Sequence, residues 1–332
     1  MQCNKRIFGF DALKALAAFF VVLYHVGMVD TGYREGVYYY PNLVQLLWLF
    51  CACGVPLFFM VNGALTVSRH YDFKKTITKV GHLLLIGVFW GLLMMCVQAT
   101  FYGTDYFSLY RVPYYWFLFT LAMMYVINYL LGRCGNQCKW TVIVILLIIP
   151  FTTNLAWDFI RLFMPNILLP KWSHIGAFTL YGLVYLYAGD HLAHHRAGKW
   201  VPWVSGIVGL LLLAFETVAV VNHAHAPFEG GNYCFPSWGA LFLSCAVFIW
   251  LKNWNPVESK LKSVFTFLGN NALGIYIFHL IIMFLMGRLF PQMDNATIHP
   301  VLVIIVALTY MFVSAFMSEM IRRSPLSFLL KL

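Results

Sequence analysis

Residues 8–28 read FGFDALKALAAFFVVLYHVGM, an apolar stretch that nevertheless contains Asp11, Lys14 and His25. About 20 mainly apolar residues in a helix can cross a hydrocarbon core of about 30 Å. Because Lys14 interrupts the stretch and no clear small-residue cleavage site follows it, we interpret it as a membrane span rather than a secretory signal. Backbone groups in lipid must bond internally, so the span is predicted to be helical.

Similar stretches recur along all 332 residues, of which 61% are hydrophobic and 10% charged. A soluble domain is nearer half apolar and a quarter charged. We therefore predict one all-α membrane domain over residues 1–332, a polytopic bundle of about ten transmembrane helices. The predicted spans cover residues 8–28, 43–67, 80–101, 114–131, 140–156, 173–192, 201–222, 236–251, 264–287 and 300–321.

The charges of the loops give an independent test of this count. With the N-terminus inside, 16 basic residues fall in cytoplasmic segments and five in outer ones. This asymmetry is what the positive-inside rule requires, so we predict cytoplasmic termini and a multi-pass protein of the cytoplasmic (inner or plasma) membrane. The net charge of +10 is then explained without a nucleic-acid partner. Cys134 and Cys138 lack a second ligand pair of matching spacing, so no metal site is predicted.

Ionisable groups inside spans cost roughly 2.5–3.5 kcal/mol each and are functional candidates by default. Eleven residues separate Lys14 from His25, which places both on one helix face about 16 Å apart, and Asp11 shares that face. The alternatives are an interfacial ion pair for Asp11 and Lys14, and a histidine bonded to a neighbouring helix for His25.

Further polar side chains occur in later spans. Asn271 and His279 share a face of a continuous helix over 264–287, with Tyr276 three residues before His279. Glu216 lies in the seventh span without an obvious partner. A polar lining and plain hydrogen bonding between helices both account for such residues.

The second predicted span contains Pro56, which is expected to kink it. Asn62 and Gly63 follow and offer a polar group and a close backbone approach. The outer loops are rich in aromatic residues, at 38–40 and at 106–116 with Trp116 at the end. They suit either an interfacial aromatic belt or a surface on which sugar rings stack.

These stretches, taken in order, resemble the integral-membrane acyltransferases called acyltransferase 3. The matching motifs are Asp11-Ala12-Leu13-Lys14 followed by His25, the segment 54–63, the basic run before the third helix, Trp116-Phe117-Leu118, and the segment 268–279. Lys14 stands where the family has Arg, and Asn62 where Ser is common. Lysine offers a point charge instead of a planar fork.

The resemblance implies transfer of an acyl group, with acetyl expected, from acyl-coenzyme A to a hydroxyl of a cell-envelope or exported carbohydrate. The expected partners are acyl-coenzyme A (acetyl-CoA) as co-substrate, a carbohydrate or glycolipid acceptor, and membrane lipid. No permanently bound cofactor is expected. The alternative is a transporter or flippase without acyl-transfer chemistry, which ten helices with intramembrane charges suit equally well.

The roles that we assign follow from this chemistry, since an alcohol needs a general base near neutral pH. His25 is the expected base, and Lys14 with Asp11 supports the donor or the surroundings of His25. The expected donor-binding residues are Arg69, Lys74, Lys75 and Lys79. The expected secondary polar or acceptor residues are Asn62, Trp116, Glu216, Asn271, Tyr276 and His279.

Overall fold

The computed structural model describes residues 7–27, 33–34, 37–38, 50–69, 72–103, 115–164, 180–221, 236–256, 259–289 and 300–330. In these ranges two short strands, β1 (Tyr33–Arg34) and β2 (Val37–Tyr38), form an antiparallel pair, and a 3-10 helix covers Pro325–Leu330. The α-helices are α1 (Phe8–Gly27), α2 (Gly54–Thr66), α3 (Phe73–Tyr102), α4 (Trp116–Arg133), α5 (Gly135–Phe163), α6 (Leu180–His194), α7 (Val201–Val221), α8 (Trp238–Lys252), α9 (Ser259–Asn270), α10 (Ala272–Leu289) and α11 (Pro300–Arg322).

Each of the ten predicted spans contains a helix or, in the ninth, a helix pair. Five helices, namely α1, α3, α4, α5 and α11, are long and apolar enough to cross a membrane by themselves, and α9 with α10 gives a sixth if the bent pair is one span. Shorter apolar helices occur in α2, α7 and α8. The all-helical, multi-pass character is confirmed. The count of ten spans and the cytoplasmic termini stay predictions.

Helix α1 lies at the centre of the bundle, packed against α2, α8, α9, α10 and α11. Its alanines Ala12, Ala17 and Ala18 are fully buried, and such small side chains let neighbouring backbones approach closely. The polar residues of this helix therefore face protein and not lipid. Apolar side chains on α3, α5, α7 and α11 are instead exposed, as expected for a surface in contact with lipid.

Glycines set the close contact between α2 and α6. A Cβ atom on Gly63 would collide with the backbone carbonyl of Leu186, and one on Gly189 with that of Met60. This confirms the predicted close approach at Gly63. Phe50 and Cys51 are helical, a turn follows at residues 52–53, and α2 begins at Gly54, so the helical bonding is interrupted directly before Pro56. The kink predicted at Pro56 stays a prediction.

The ninth predicted span is not one continuous helix, because α9 and α10 meet at Asn271 with a bend of 71°. The Asn271 amide group donates to the Phe267 carbonyl (2.9 Å) and to Glu319 (3.2 Å), and its oxygen accepts from the Ser318 hydroxyl (2.7 Å). These bonds tie the bend to α11. The Asn271 side chain bonds both the backbone and a neighbouring helix, and such bonds compete with the regular backbone hydrogen bonds of an α-helix.

Candidate functional site

Two intramembrane histidines, His25 on α1 and His279 on α10, are in contact. Their ring centroids lie 5.0 Å apart, and His279 Nε2 lies 3.3 Å from His25 Nδ1. His279 is 1% exposed, whereas His25 is only partly buried. The sequence predicted both residues as candidates, and the structure brings them together although 254 positions separate them.

The hydrogen bonds of the pair assign its protons when both rings are neutral. His25 Nδ1 lies 2.8 Å from the Val21 carbonyl, and His279 Nδ1 lies 2.9 Å from the Ile275 carbonyl. A carbonyl accepts only from N–H, so both Nδ1 atoms carry the hydrogen. His279 Nε2 is then an acceptor that faces the Nδ1–H of His25. The remaining nitrogen, His25 Nε2, accepts no hydrogen bond from a described residue, so its lone pair can take a proton.

A cavity of about 500 Å³, called the main cavity, lies between α1, α2, α3, α4, α9, α10 and α11. Its polar lining includes Lys14, Asn62, Arg69, Lys79 and Tyr276, all of which the sequence singled out. The basic side chains lie at the end of the bundle where α1 starts, which we call the basic end. We take this end as the one predicted to face the cytoplasm.

Tyr276 connects the main cavity to the histidine pair. Its ring lines the cavity and lies 5.5 Å from the ring of Phe117 and 6.2 Å from that of His279. The Tyr276 hydroxyl is buried and makes no hydrogen bond of good geometry to a described residue, although the Phe117 backbone is close to it. The cavity therefore ends next to the histidines without including either of them among its described lining residues.

Lys14 and Asp11 form the ion pair that the sequence allowed, with 3.0 Å between Lys14 Nζ and Asp11 Oδ1. Lys14 lines the main cavity, whereas Asp11 is 3% exposed and packs against Gly269 of α9. His25 lies about 16 Å further along the helix. This geometry favours a role for Lys14 toward a ligand in the cavity and gives it no contact with His25.

The four basic residues predicted to bind the donor separate into two groups. Arg69 and Lys79 line the main cavity, and Lys79 Nζ lies 5.0 Å from the centre of the Tyr125 ring. Lys74 and Lys75 are exposed and are not among the described lining residues. Lys75 lies 3.4 Å from Asp72, the residue that caps α3, and the backbone N–H of Lys75 lowers the pKa of the Asp72 carboxyl.

Asn62 lines the main cavity with its amide partly used. Its nitrogen donates to the Phe58 carbonyl (2.8 Å), and its oxygen accepts from the Tyr125 hydroxyl (3.2 Å). Arg322 also lines the cavity and donates to the Asn270 carbonyl (2.6 Å). Sequence reasoning counted Arg322 only as a loop charge. Its position at the end of α11, whose neighbourhood to residues 268–279 only the structure shows, is what places it in the cavity wall.

The other predicted residues lie away from the main cavity. The Asn271 amide is occupied at the bend, as described above. Glu216 is buried in α7 and accepts from the Ser237 hydroxyl (2.6 Å), so it has a partner that the sequence did not reveal. Trp116 begins α4 and packs beside Phe117 (6.5 Å between ring centroids). The aromatic residues at 39–40 and 106–114 lie outside the described ranges.

The comparison with protein families agrees with this arrangement. The family model for acyltransferase 3, described as an acyltransferase domain, matches residues 7–320. The chain belongs to the acyltransferase 3 family. The matched range runs from α1 into α11, so the histidine pair and most of the main cavity lie within the acyltransferase 3 domain. No curated protein and no solved structure matches the chain. Family membership supports acyl transfer over the transporter alternative.

Proposed function

We propose that this acyltransferase moves an acyl group, with acetyl expected, from acyl-coenzyme A to a hydroxyl of a cell-envelope or exported carbohydrate. The observation that carries the proposal is a chain of contacts: Tyr276 lines the main cavity, its ring lies 6.2 Å from that of His279, and His279 contacts His25. Cations in the cavity wall and a base beyond Tyr276 suit a donor and an acceptor that approach from opposite sides.

The main cavity has the features that the donor requires. Coenzyme A has a highly phosphorylated nucleotide and a slim pantetheine arm that ends in the thioester. Arg69, Lys79 and Arg322 attract phosphates, and apolar side chains such as Phe58 and Phe117 also line the cavity and suit contact with the arm. A volume of about 500 Å³ lies within the usual range of roughly 300–1,000 Å³ for small-molecule sites.

His25 supplies the base that the acceptor hydroxyl needs. His25 Nε2 takes the hydroxyl proton while the hydroxyl oxygen attacks the thioester carbonyl carbon. The carbon–sulfur bond then breaks, and the proton passes from His25 Nε2 to the departing thiolate, which yields the ester and coenzyme A. His25 Nδ1–H is shared throughout between the Val21 carbonyl (2.8 Å) and His279 Nε2 (3.3 Å), so both acceptors hold the ring and stabilise its positive charge.

Tyr276 and Lys14 act on the donor in this proposal. The Tyr276 ring lines the cavity, and its buried hydroxyl, which has no hydrogen bond of good geometry to a described residue, donates to the thioester oxygen on which negative charge develops during attack. Lys14, fixed by Asp11, adds positive charge to the wall of the cavity that the donor occupies. Both residues act without contacting the acceptor.

The topology completes the proposal. With the basic end in the cytoplasm, acyl-coenzyme A enters from the compartment where it is made, and the carbohydrate reaches His25 from the outer side. The protein then lies in the cytoplasmic membrane, with lipid around its exposed apolar surface. The transferred acyl group crosses the membrane as part of the reaction.

Purified protein in lipid nanodiscs, supplied with acetyl-coenzyme A and a panel of envelope glycans, tests the proposal. We expect release of coenzyme A, measured with a thiol reagent, that depends on one class of glycan and is matched by acetylated product in mass spectrometry. Lys199→Ala is the matched control, since Lys199 is exposed and is not among the described lining residues of the cavity. Glycan movement into vesicles without any thiol release would instead support the transporter.

A further inference from the structure

A second cavity, of about 270 Å³, adjoins the main cavity at the basic end. The two cavities share Thr66, Arg69, Lys79 and Tyr125 in their walls, so they are neighbouring compartments of one site. Residues from α2, α3, α4, α5 and α6 form the second cavity. Neither the family match nor the motifs quoted above assign a ligand to the residues that line this cavity alone, such as Arg133 and Lys139.

The turn between α4 and α5 brings two further cations into this cavity. Arg133 is the last residue of α4, Cys134 follows it, and α5 begins at Gly135, whose φ of 82° favours glycine. This short turn keeps Arg133 close to Lys139, one turn into α5, and both line the second cavity.

The second cavity has a strongly positive lining. Four basic side chains, Arg69, Lys79, Arg133 and Lys139, line it, and none of its described lining residues is acidic. In the described part of the chain, Arg69, Arg133 and Lys139 form no ion pair with a carboxylate. Uncompensated positive charge in a concave site attracts anions.

Aromatic faces accompany these cations. The Arg133 guanidinium lies 4.8 Å from the centre of the Tyr129 ring, and Lys139 Nζ lies 5.5 Å from that of Tyr187. The Tyr187 hydroxyl donates to the Asn128 side chain (2.6 Å), which fixes both residues in the wall. Aromatic rings stack on nucleobases, whereas guanidinium and ammonium groups bind phosphates. The lining therefore combines the two groups that a phosphorylated nucleotide requires.

We propose that the second cavity binds the nucleotide end of coenzyme A, with Arg133 and Lys139 at its 3′-phosphate. This inference rests on the proposed function. The diphosphate joins pantetheine to the nucleotide, so it lies where the cavities meet, at Arg69 and Lys79. The 3′-phosphate is carried by the ribose beyond that point, and Arg133 and Lys139 line only the second cavity. They replace Lys74 and Lys75 of the sequence prediction.

Calorimetry of the full chain in phosphatidylcholine nanodiscs, with coenzyme A and with dephospho-coenzyme A, tests this inference. The wild type is expected to prefer coenzyme A by about tenfold or more, as a charge-assisted contact to one phosphate implies. Arg133→Gln and Lys139→Gln should each reduce that preference severalfold and bind dephospho-coenzyme A almost as the wild type does. Arg133→Lys should retain part of the preference, and Lys199→Gln, the matched control at an exposed lysine that lines neither cavity, all of it.

Each outcome has a definite meaning. Binding of coenzyme A with no preference for the 3′-phosphate, or equal losses for both ligands in the variants, overturns this inference and leaves the proposed function intact. Failure of the folded wild type to bind either ligand overturns both. If phosphatidylglycerol in the nanodisc abolishes coenzyme A binding by the wild type but not by Arg133→Gln, the cavity is a lipid headgroup site and the inference is overturned.

Discussion

The contact between α1 and α9 gives a prediction whose magnitude follows from the geometry. A Cβ atom on Gly269 would lie 2.6 Å from the Asp11 carbonyl oxygen and 2.8 Å from the Asp11 Cα. Ordinary contact begins at 3.4 Å, so Gly269→Ala requires a shift of about 0.8 Å between two backbones. Neither backbone can rotate away as a flexible side chain would. Overpacking of this kind costs about 1–3 kcal/mol of stability.

The shift also reaches the site, because Asp11 holds Lys14 at the wall of the main cavity. A misplacement near 1 Å costs on the order of 100-fold in rate, so we expect kcat/KM for the donor to fall at least tenfold. Thermal unfolding followed by tryptophan fluorescence and donor titration measure the two effects.

The matched control is Gly81→Ala in α3, where an added Cβ meets nothing within 4 Å. In a helix this change should be neutral or stabilising by up to about 1 kcal/mol. Equal stability and equal donor kinetics for Gly269→Ala and Gly81→Ala would refute the close α1–α9 contact and the coupling to Lys14 drawn from it.

Three further predictions concern charge, the histidine pair and topology. Lys14→Ala should raise the KM for acyl-coenzyme A while Lys14→Arg keeps much of the activity, and normal donor saturation in Lys14→Ala would remove Lys14 from the donor site. His279→Ala should lower kcat by about tenfold at unchanged donor KM, because it leaves the Val21 carbonyl as the one described acceptor for His25 Nδ1–H and removes the contact that orients the ring; a change confined to stability would make His279 purely structural. Reporters fused to the C-terminus should be active only if they require the cytoplasm, and activity of a periplasmic-type reporter would remove one span from the predicted count.

Much of the fold could be predicted because the bilayer imposes a simple rule on sequence. Spans must be apolar and helical, so hydropathy alone locates a helix in each of the ten predicted segments. The bend at Asn271 could not be predicted in this way, because it depends on bonds to Ser318 and Glu319 of a distant helix. The turn at residues 52–53, directly before Pro56, accords with the rule that a proline removes a helical hydrogen bond to the preceding turn.

The candidate site was predictable where one helix carries several polar residues. The spacing of Lys14 and His25 gave one face correctly, yet it could not show that Lys14 lines a cavity while His25 contacts His279. Which basic residues line the donor cavity depends more strongly on tertiary packing. Lys74 and Lys139 look equivalent in the sequence as loop charges, and only the turn at Gly135 brings Lys139 to a cavity wall.

The central claim is that His25 is the general base, and the turnover of His25→Gln tests it most directly. Glutamine can keep a hydrogen bond to His279 but cannot take a proton near neutral pH. We predict that acyl transfer per folded molecule falls by about 10²–10⁴ in both His25→Gln and His25→Ala, with normal membrane insertion and monodispersity. Near-normal turnover in His25→Gln would contradict the account and make His279 the stronger candidate for the base.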